Sequence, residues 1–166
     1  MATTLEQALA AALDDEYRAR ATYRAVLDAF GEVRPFVNIV ESEERHIQAL
    51  QRLCERHGVA VPRDSWPSRV SAPATLEAAC EAALDAEREN GALYAQLMEA
   101  AAGRADVEQT FRRLAAASQE NHLPAFERAL ERERRGGGRP LPRGESRGRR
   151  HRHRGGRSAG PDAAKT

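Results

Sequence analysis

Four runs of apolar residues recur at spacings of three and four along residues 5–130, and polar side chains break each run once, near its middle. In the first the stripe is Leu5, Leu9, Ala12 and Leu13, then Tyr23, Leu27 and Phe30, with Glu16 on the same face. In the second it is Phe36, Ile39 and Val40, then Ile47, Leu50 and Leu53, with Glu43 and His46 in the gap. The third runs Leu76, Cys80, Leu84, then Tyr94 and Leu97 around Glu87. The fourth runs Val107, Phe111, Leu114, then Leu123, Phe126 and Leu130 around Ser118, Gln119 and His122. This is the period of an amphipathic helix.

Local signals bound the four predicted helices. Thr4 followed by Gln7 has the form of a capping box, and Gly31 stops the first helix. The second starts at about Pro35, a good first-turn residue, and ends at Gly58. The third runs from about Thr75 to near Gly103. The fourth starts with Asp106 as N-cap and ends in the Gly136-Gly137-Gly138 run. Short links join the first helix to the second and the third to the fourth, so each pair is an antiparallel hairpin. Residues 58–74 are long and Pro-rich. Fully extended they reach roughly 55 Å, against roughly 33 Å for a 22-residue helix. The pattern therefore predicts an all-α fold over residues 1–134: an antiparallel four-helix bundle with one long crossover between helices two and three. Residues 135–166 form an Arg/Gly-rich tail with too few large apolar residues to offset the entropy of ordering, so the tail is expected to be disordered.

Composition agrees with helices and adds a charge asymmetry. Aromatics are 5% and hydrophobics 41% of the chain, and Ala, Leu, Glu and Arg, good helix formers, abound. The formal charge of +1 conceals two objects. Residues 134–166 hold 11 Lys+Arg against Glu145 and Asp162, while the preceding 133 residues hold 15 against 23 Asp+Glu. An acidic body thus carries a basic tail. The Arg149, Arg150, Arg152 and Arg154 run in the tail suits nonspecific attraction to nucleic acid or another polyanion; a merely solubilising tail is the alternative. No secretory pattern begins the chain and no apolar run of 18 residues exists, so the expectation is a cytoplasmic protein without a membrane partner. Cys54 and Cys80 would lie roughly 25 Å apart along the bundle axis, too far for a bridge, and are expected to be free buried thiols.

The chemistry lies in the interruptions, which should meet at one level of the bundle. Three carboxylates in a dry core repel one another and must be protonated, paired or metal-bound. Two imidazoles beside them supply further ligands, and oxygen with imidazole suits iron or manganese, with zinc also possible. An internal repeat supports a shared site. Leu13-Asp14-Asp15-Glu16 matches Leu84-Asp85-Ala86-Glu87, Tyr23 and Tyr94 each follow seven residues later, and Glu43-Glu44-Arg45-His46 matches Gln119-Glu120-Asn121-His122. Glu-x-x-His places both side chains on one helix face. A single Glu or His of this kind, taken alone, is more often a boundary or core residue. Tyr23 and Tyr94 are read first as core residues and, in the alternative, as donors to the ligands. Asn90 either hydrogen-bonds Glu87 or simply packs.

One Glu from each of two helices plus Glu-x-x-His from the others is the di-metal pattern of ferritin-like bundles. Over residues 5–132 the chain resembles the ferritin-like superfamily of the rubrerythrin and bacterioferritin type. It is most similar to an uncharacterised ferritin-like family, domain of unknown function 2202, through SEERH at Ser42–His46 and NHLPAF at Asn121–Phe126. The resemblance implies Glu16, Glu43, His46, Glu87 and His122 as metal ligands, with two iron ions reacting with dioxygen or peroxide in a ferroxidase or peroxide-scavenging role. It leaves the oligomeric state open, a homodimer included. The chain departs from the pattern at Gln119, where a Glu is expected. A neutral amide ligates weakly; Glu120 would substitute if Pro124 distorts the helix. The competing reading is a non-catalytic bundle without metal whose tail does the binding.

Overall fold

The computed structural model describes residues 3–136; the tail arginines, Arg149 to Arg154, lie outside the described residues. Among the described residues there is no strand. The chain forms α1 (Leu5–Phe30), α2 (Phe36–His57), α3 (Leu76–Ala101), α4 (Ala105–Ala116) and α5 (Leu123–Gly136). A π-helical turn over Ala117–His122 joins α4 and α5 into one continuous fourth rod.

The helix ends follow from local chemistry. Thr4 Oγ1 accepts from the Gln7 amide at 3.2 Å, while the Gln7 side chain accepts from the Thr4 amide at 2.9 Å, which closes a capping box. Thr75 caps α3 through the Ala78 amide. Gly58 ends α2 in the left-handed region, at φ +66°, where a side chain would be strained. Asp106 is not the N-cap predicted for the fourth rod. The helix begins one residue earlier, at Ala105, and Asp106 instead accepts from Arg56 at 2.9 Å and His57 at 3.0 Å, tying the end of α2 to the start of α4.

α1 and α2 form one antiparallel hairpin and α3 with the fourth rod forms the other; α1 packs on α3, and α2 on α4. The connection from Gly58 to Thr75 returns along α1, as a single long crossover must. Trp66, in a short 3-10 turn, donates from its indole to Asp14 at 2.8 Å, and Arg20 binds both Asp64 of the crossover and Glu44 of α2.

The apolar stripes pack as two separate clusters. Leu9, Leu13, Ile47, Leu50, Tyr94, Phe111 and Leu114 fill one end of the bundle. Tyr23, Phe30, Phe36, Leu84, Phe126 and Leu130 fill the other. Cys54 lies in the first cluster and Cys80 in the second, both as free buried thiols. Between the clusters runs one layer of buried polar residues: Glu16, Glu43, His46, Glu87, Asn90, Ser118 and His122.

Candidate metal centre

Each rod contributes to the polar layer from its middle. Glu16, Glu43 and His46 bring ligand atoms within 4.8 Å of one another, and so do Glu43, Glu87 and His122. The two triads share Glu43, whose oxygens divide between them. Oε2 lies 3.0 Å from His46 Nδ1, and Oε1 lies 3.2 Å from His122 Nδ1. His46 Nδ1 is also 3.2 Å from Glu16 Oε2, and His122 Nδ1 is 3.5 Å from Glu87 Oε1. Glu-x-x-His accounts for the first pairing, because residues three apart stand on one helix face.

These separations fit a shared cation. Two atoms bound to one ion at about 2.1 Å lie about 3.0 Å apart at a right angle and about 3.4 Å apart at the tetrahedral angle. His122 Nδ1 is buried and has no hydrogen-bond partner, although two carboxylate oxygens stand close to it. A ring nitrogen placed between carboxylates without a usable hydrogen bond is suited to ligation. The far edges of the two rings are held together. Nε2 of His46 lies 3.3 Å, and Nε2 of His122 3.1 Å, from Ser42 Oγ, and the rings stack with centroids 5.6 Å apart. One hydroxyl oxygen can accept from both Nε2–H groups, leaving both Nδ1 atoms free as ligands. The layer could therefore hold metal.

The tyrosines reach across the hairpins. Tyr23 of α1 donates to Glu87 Oε1 of α3 at 2.7 Å, and Tyr94 of α3 donates to Glu16 Oε1 of α1 at 2.7 Å. Each ring lies in an apolar cluster, Tyr23 against Phe36 and Phe126, Tyr94 against Phe111. They are core residues and donors at once. Burial, followed by the neighbouring Glu87 or Glu16, pushes both phenols well above their usual range, so both stay protonated.

The layer also sets the charge of its own groups. Burial and the nearby Glu43 raise Glu16 to about 8. Burial opposes the charging of Glu43, but the imidazoles of His122 and His46 outweigh it and hold the carboxyl well below the usual range. Burial likewise opposes charging of the imidazoles, yet Glu16 and Glu43 raise His46 to about 9, and Glu43 and Glu87 raise His122 to about 10. Without metal, protons supply the balancing charge.

The fourth rod departs from expectation. Gln119 does not join either triad. Its Nε2 donates to the Glu87 carbonyl at 2.6 Å, and its amide fills the space over Gly91, where a Cβ would lie 2.6 Å from that nitrogen. Glu120 is exposed and does not substitute for it. The π turn explains both. Pro124 cannot donate to the carbonyl of Glu120 and would clash with it in a regular helix; the turn widens, and the Leu123 amide bonds instead to Ser118. That change of phase turns Ser118 and His122 inward together. Ser118 Oγ donates to Glu87 Oε2 in a short contact. Asn90 does not bond Glu87 either; its Nδ2 donates to Asp15 at 2.8 Å. Ser42 enters the sequence pattern only as the first residue of SEERH and with no part in the site, although its position four residues before His46 is a usable signal.

No protein-family model matches the chain, and no curated protein matches it. Its fold is similar to the crystal structure of a hypothetical protein from Methanococcus jannaschii DSM 2661, with a TM-score of 0.68 and 20% sequence identity over 76% of this chain and 79% of that one. At that identity the likeness shows the fold alone. Among the described residues no helix is long and apolar enough to cross a membrane.

Proposed function

We propose that the polar layer is a di-metal centre of the ferritin-like kind, holding two iron ions, or manganese in their place, and acting on dioxygen or peroxide. The observation that carries this reading is the division of Glu43 between the two triads, with one oxygen facing each imidazole Nδ1. Glu16 and His46 would hold one ion, Glu87 and His122 the other, and Glu43 both. Bound iron would supply electrons to the oxidant. The chain's own part is to bind and orient. Tyr23 and Tyr94 fix one oxygen each of Glu87 and Glu16, Ser42 fixes both imidazoles, and the apolar clusters keep water from either end. Three carboxylates would offset three of the four positive charges of two divalent ions. The resemblance of SEERH and NHLPAF to ferritin-like sequences supports the same reading.

Metal analysis tests it. Protein produced with iron, manganese and zinc present should contain about two equivalents of metal. Glu16→Ala should lose one and Glu43→Ala both, since only Glu43 is shared. Metal-free wild-type protein, with stability unchanged by added ferrous ion, would overturn the proposal. That result would favour the second reading, a bundle whose layer is completed by protons, for which the hydrogen bonds of Glu16 and Glu87 to tyrosines are the supporting observation. The basic tail is then the candidate for polyanion binding, and deleting residues 135–166 should abolish any DNA retention.

A further inference from the structure

Carboxylates hold many of the arginines on the acidic body, Arg18, Arg20, Arg56, Arg88 and Arg134 among them. Arg45, Arg52 and Arg113 differ. Each is exposed, and none forms an ion pair, hydrogen bond or ring contact with a described residue. The three line one cleft of about 530 Å³ between α2 and α4, together with His46, Gln48 and Ala117. No carboxylate belongs to that lining.

The grouping follows from the helices. Arg45 and Arg52 are two turns apart on α2, so they share a face about 10.5 Å apart along the axis. Gln48 stands between them, and Arg113 comes from α4, which packs on α2. Glu41 and Glu55 lie about one turn outside the pair on α2, yet neither bonds to it. In the cleft between α3 and α5, by contrast, Arg134 meets Glu81 at 2.7 Å.

Three like charges gathered without a counter-charge repel one another, and an anion relieves them. The tail has the wrong sign to supply it, with 11 Lys+Arg against two acids. The volume lies in the range of small-molecule sites, about 300–1,000 Å³. Guanidinium forks bind carboxylate or phosphate through paired hydrogen bonds. A carboxylate offers two oxygens in one plane, whereas forks from two helices suit the oxygens arrayed around phosphorus. One phosphate carries about −1.5 to −2 charges at pH 7, too few for three guanidiniums; two linked phosphates match them.

We propose that the α2–α4 cleft binds a diphosphate group, with Arg45, Arg52 and Arg113 donating to its oxygens and Gln48 donating between them. The site stands on the cleft alone and does not depend on the di-metal reading.

The test uses the full chain, stripped of metal so that phosphate cannot bridge to an ion, and labelled for NMR of amides and arginine Nε–H groups. Pyrophosphate, citrate and acetate are titrated in about 0.15 M salt. Pyrophosphate should give saturable shifts at Gln48, Ala117 and the three arginine side chains, citrate should bind at least about tenfold more weakly, and acetate should give none. Arg45→Gln, Arg52→Gln and Arg113→Gln should each weaken pyrophosphate binding by at least about tenfold, and all three sites are exposed, so the fold should survive. Arg34→Gln, at an exposed and equally unpaired arginine outside the cleft, should not. Replacing Arg149, Arg150, Arg152 and Arg154 by Gln should leave the cleft shifts intact. ADP separates the sources of the group: tighter binding than pyrophosphate points to a nucleotide, weaker binding to the free ion. Shifts confined to the tail, indifference to the three cleft variants, or citrate binding as tight as pyrophosphate would each overturn the proposal.

Discussion

The phenol of Tyr94 on α3 donates to Glu16 on α1 at 2.7 Å, and the repeat-related pair, Tyr23 on α1 and Glu87 on α3, is its mirror at the same distance. Each hairpin thus orients the carboxylate of the other. Tyr23→Phe and Tyr94→Phe should keep their helical content, because both rings remain packed. Each should weaken metal affinity by about 10–100-fold, the usual effect of losing a group that orients a ligand. Ser42→Ala should do the same through both imidazoles. Chelator competition measures these affinities, and unchanged values in all three variants would mean that neither the phenols nor the Ser42 hydroxyl orients a ligand.

Without metal, protons balance the charge of the layer, so a metal ion that binds there should release them. Glu16, raised to about 8, and His46 and His122, raised to about 9 and 10, all hold protons at neutral pH. Ligation through Nδ1 and carboxylate removes up to three. Calorimetric titration at pH 7 in buffers of different ionisation enthalpy should show proton release on binding, and no dependence on buffer would rule out displacement.

Stability without metal should depend on pH in a direction set by the same groups. Glu16, His46 and His122 have folded values above their ordinary 4.5, 6.5 and 6.5. Between each pair of values the folded protein holds a proton that the unfolded chain has released, so stability falls as pH rises through that interval. Glu43 acts oppositely: its contribution is present above its ordinary 4.5 and lost as pH falls. Chelator-treated protein should melt highest near pH 4.5, where the gain from Glu43 gives way to the loss from Glu16, and lose stability steadily toward pH 10. A melting temperature constant over the alkaline part of that range would contradict the assignment.

The effect of Gly91→Ala should depend on Gln119. Gly91 sits inside α3, where Ala is normally better by about 1 kcal/mol. Its Cβ would meet the Gln119 amide and displace it from the Glu87 carbonyl, a loss of about 0.5–1.5 kcal/mol. Gly91→Ala alone should bring no net gain. In a Gln119→Ala background it should stabilise by about 1 kcal/mol, as measured by denaturant unfolding.

Cys54 and Cys80 should resist alkylation in the folded protein at pH 8. Burial raises both thiols, and Cys80 reaches about 11, with Glu133 also contributing. Rapid native labelling of Cys80 would show that its end of the bundle opens readily.

The rods, their pairing and the level of the polar layer are legible in the sequence because periodicity within a helix reports its buried face directly. Glu16, Glu43 and Glu87 stand out as acids on apolar stripes. What the sequence does not show depends on contacts between rods. The tyrosines read as core because their rings are core; only the assembled bundle aims each hydroxyl at the opposite carboxylate. Asn90 points by its spacing toward Glu87 on its own helix but bonds Asp15 on the neighbouring one. Gln119 aligns with Glu43 in the repeat, whereas the widened turn gives its place in the layer to Ser118. Pro124 signals a distortion but not its form.

That widened turn has a consequence for how the segment tolerates change. Because Ala117–His122 holds its residues in an unusual winding, the alignment of α5 with the rest of the bundle depends on how many residues lie there as much as on which ones. A π turn uses about one residue more than an α-helix for the same rotation. Removing one residue between Gln119 and Asn121 would therefore leave Phe126 and Leu130 facing Tyr23 and Phe36, but would set Pro124 in a regular turn against the carbonyl four residues before it. Removing two would leave no widening to absorb the second and would rotate α5 by about 100°. A side-chain replacement at the exposed Glu120 should be harmless, while loss of two residues there should dismantle that end of the molecule.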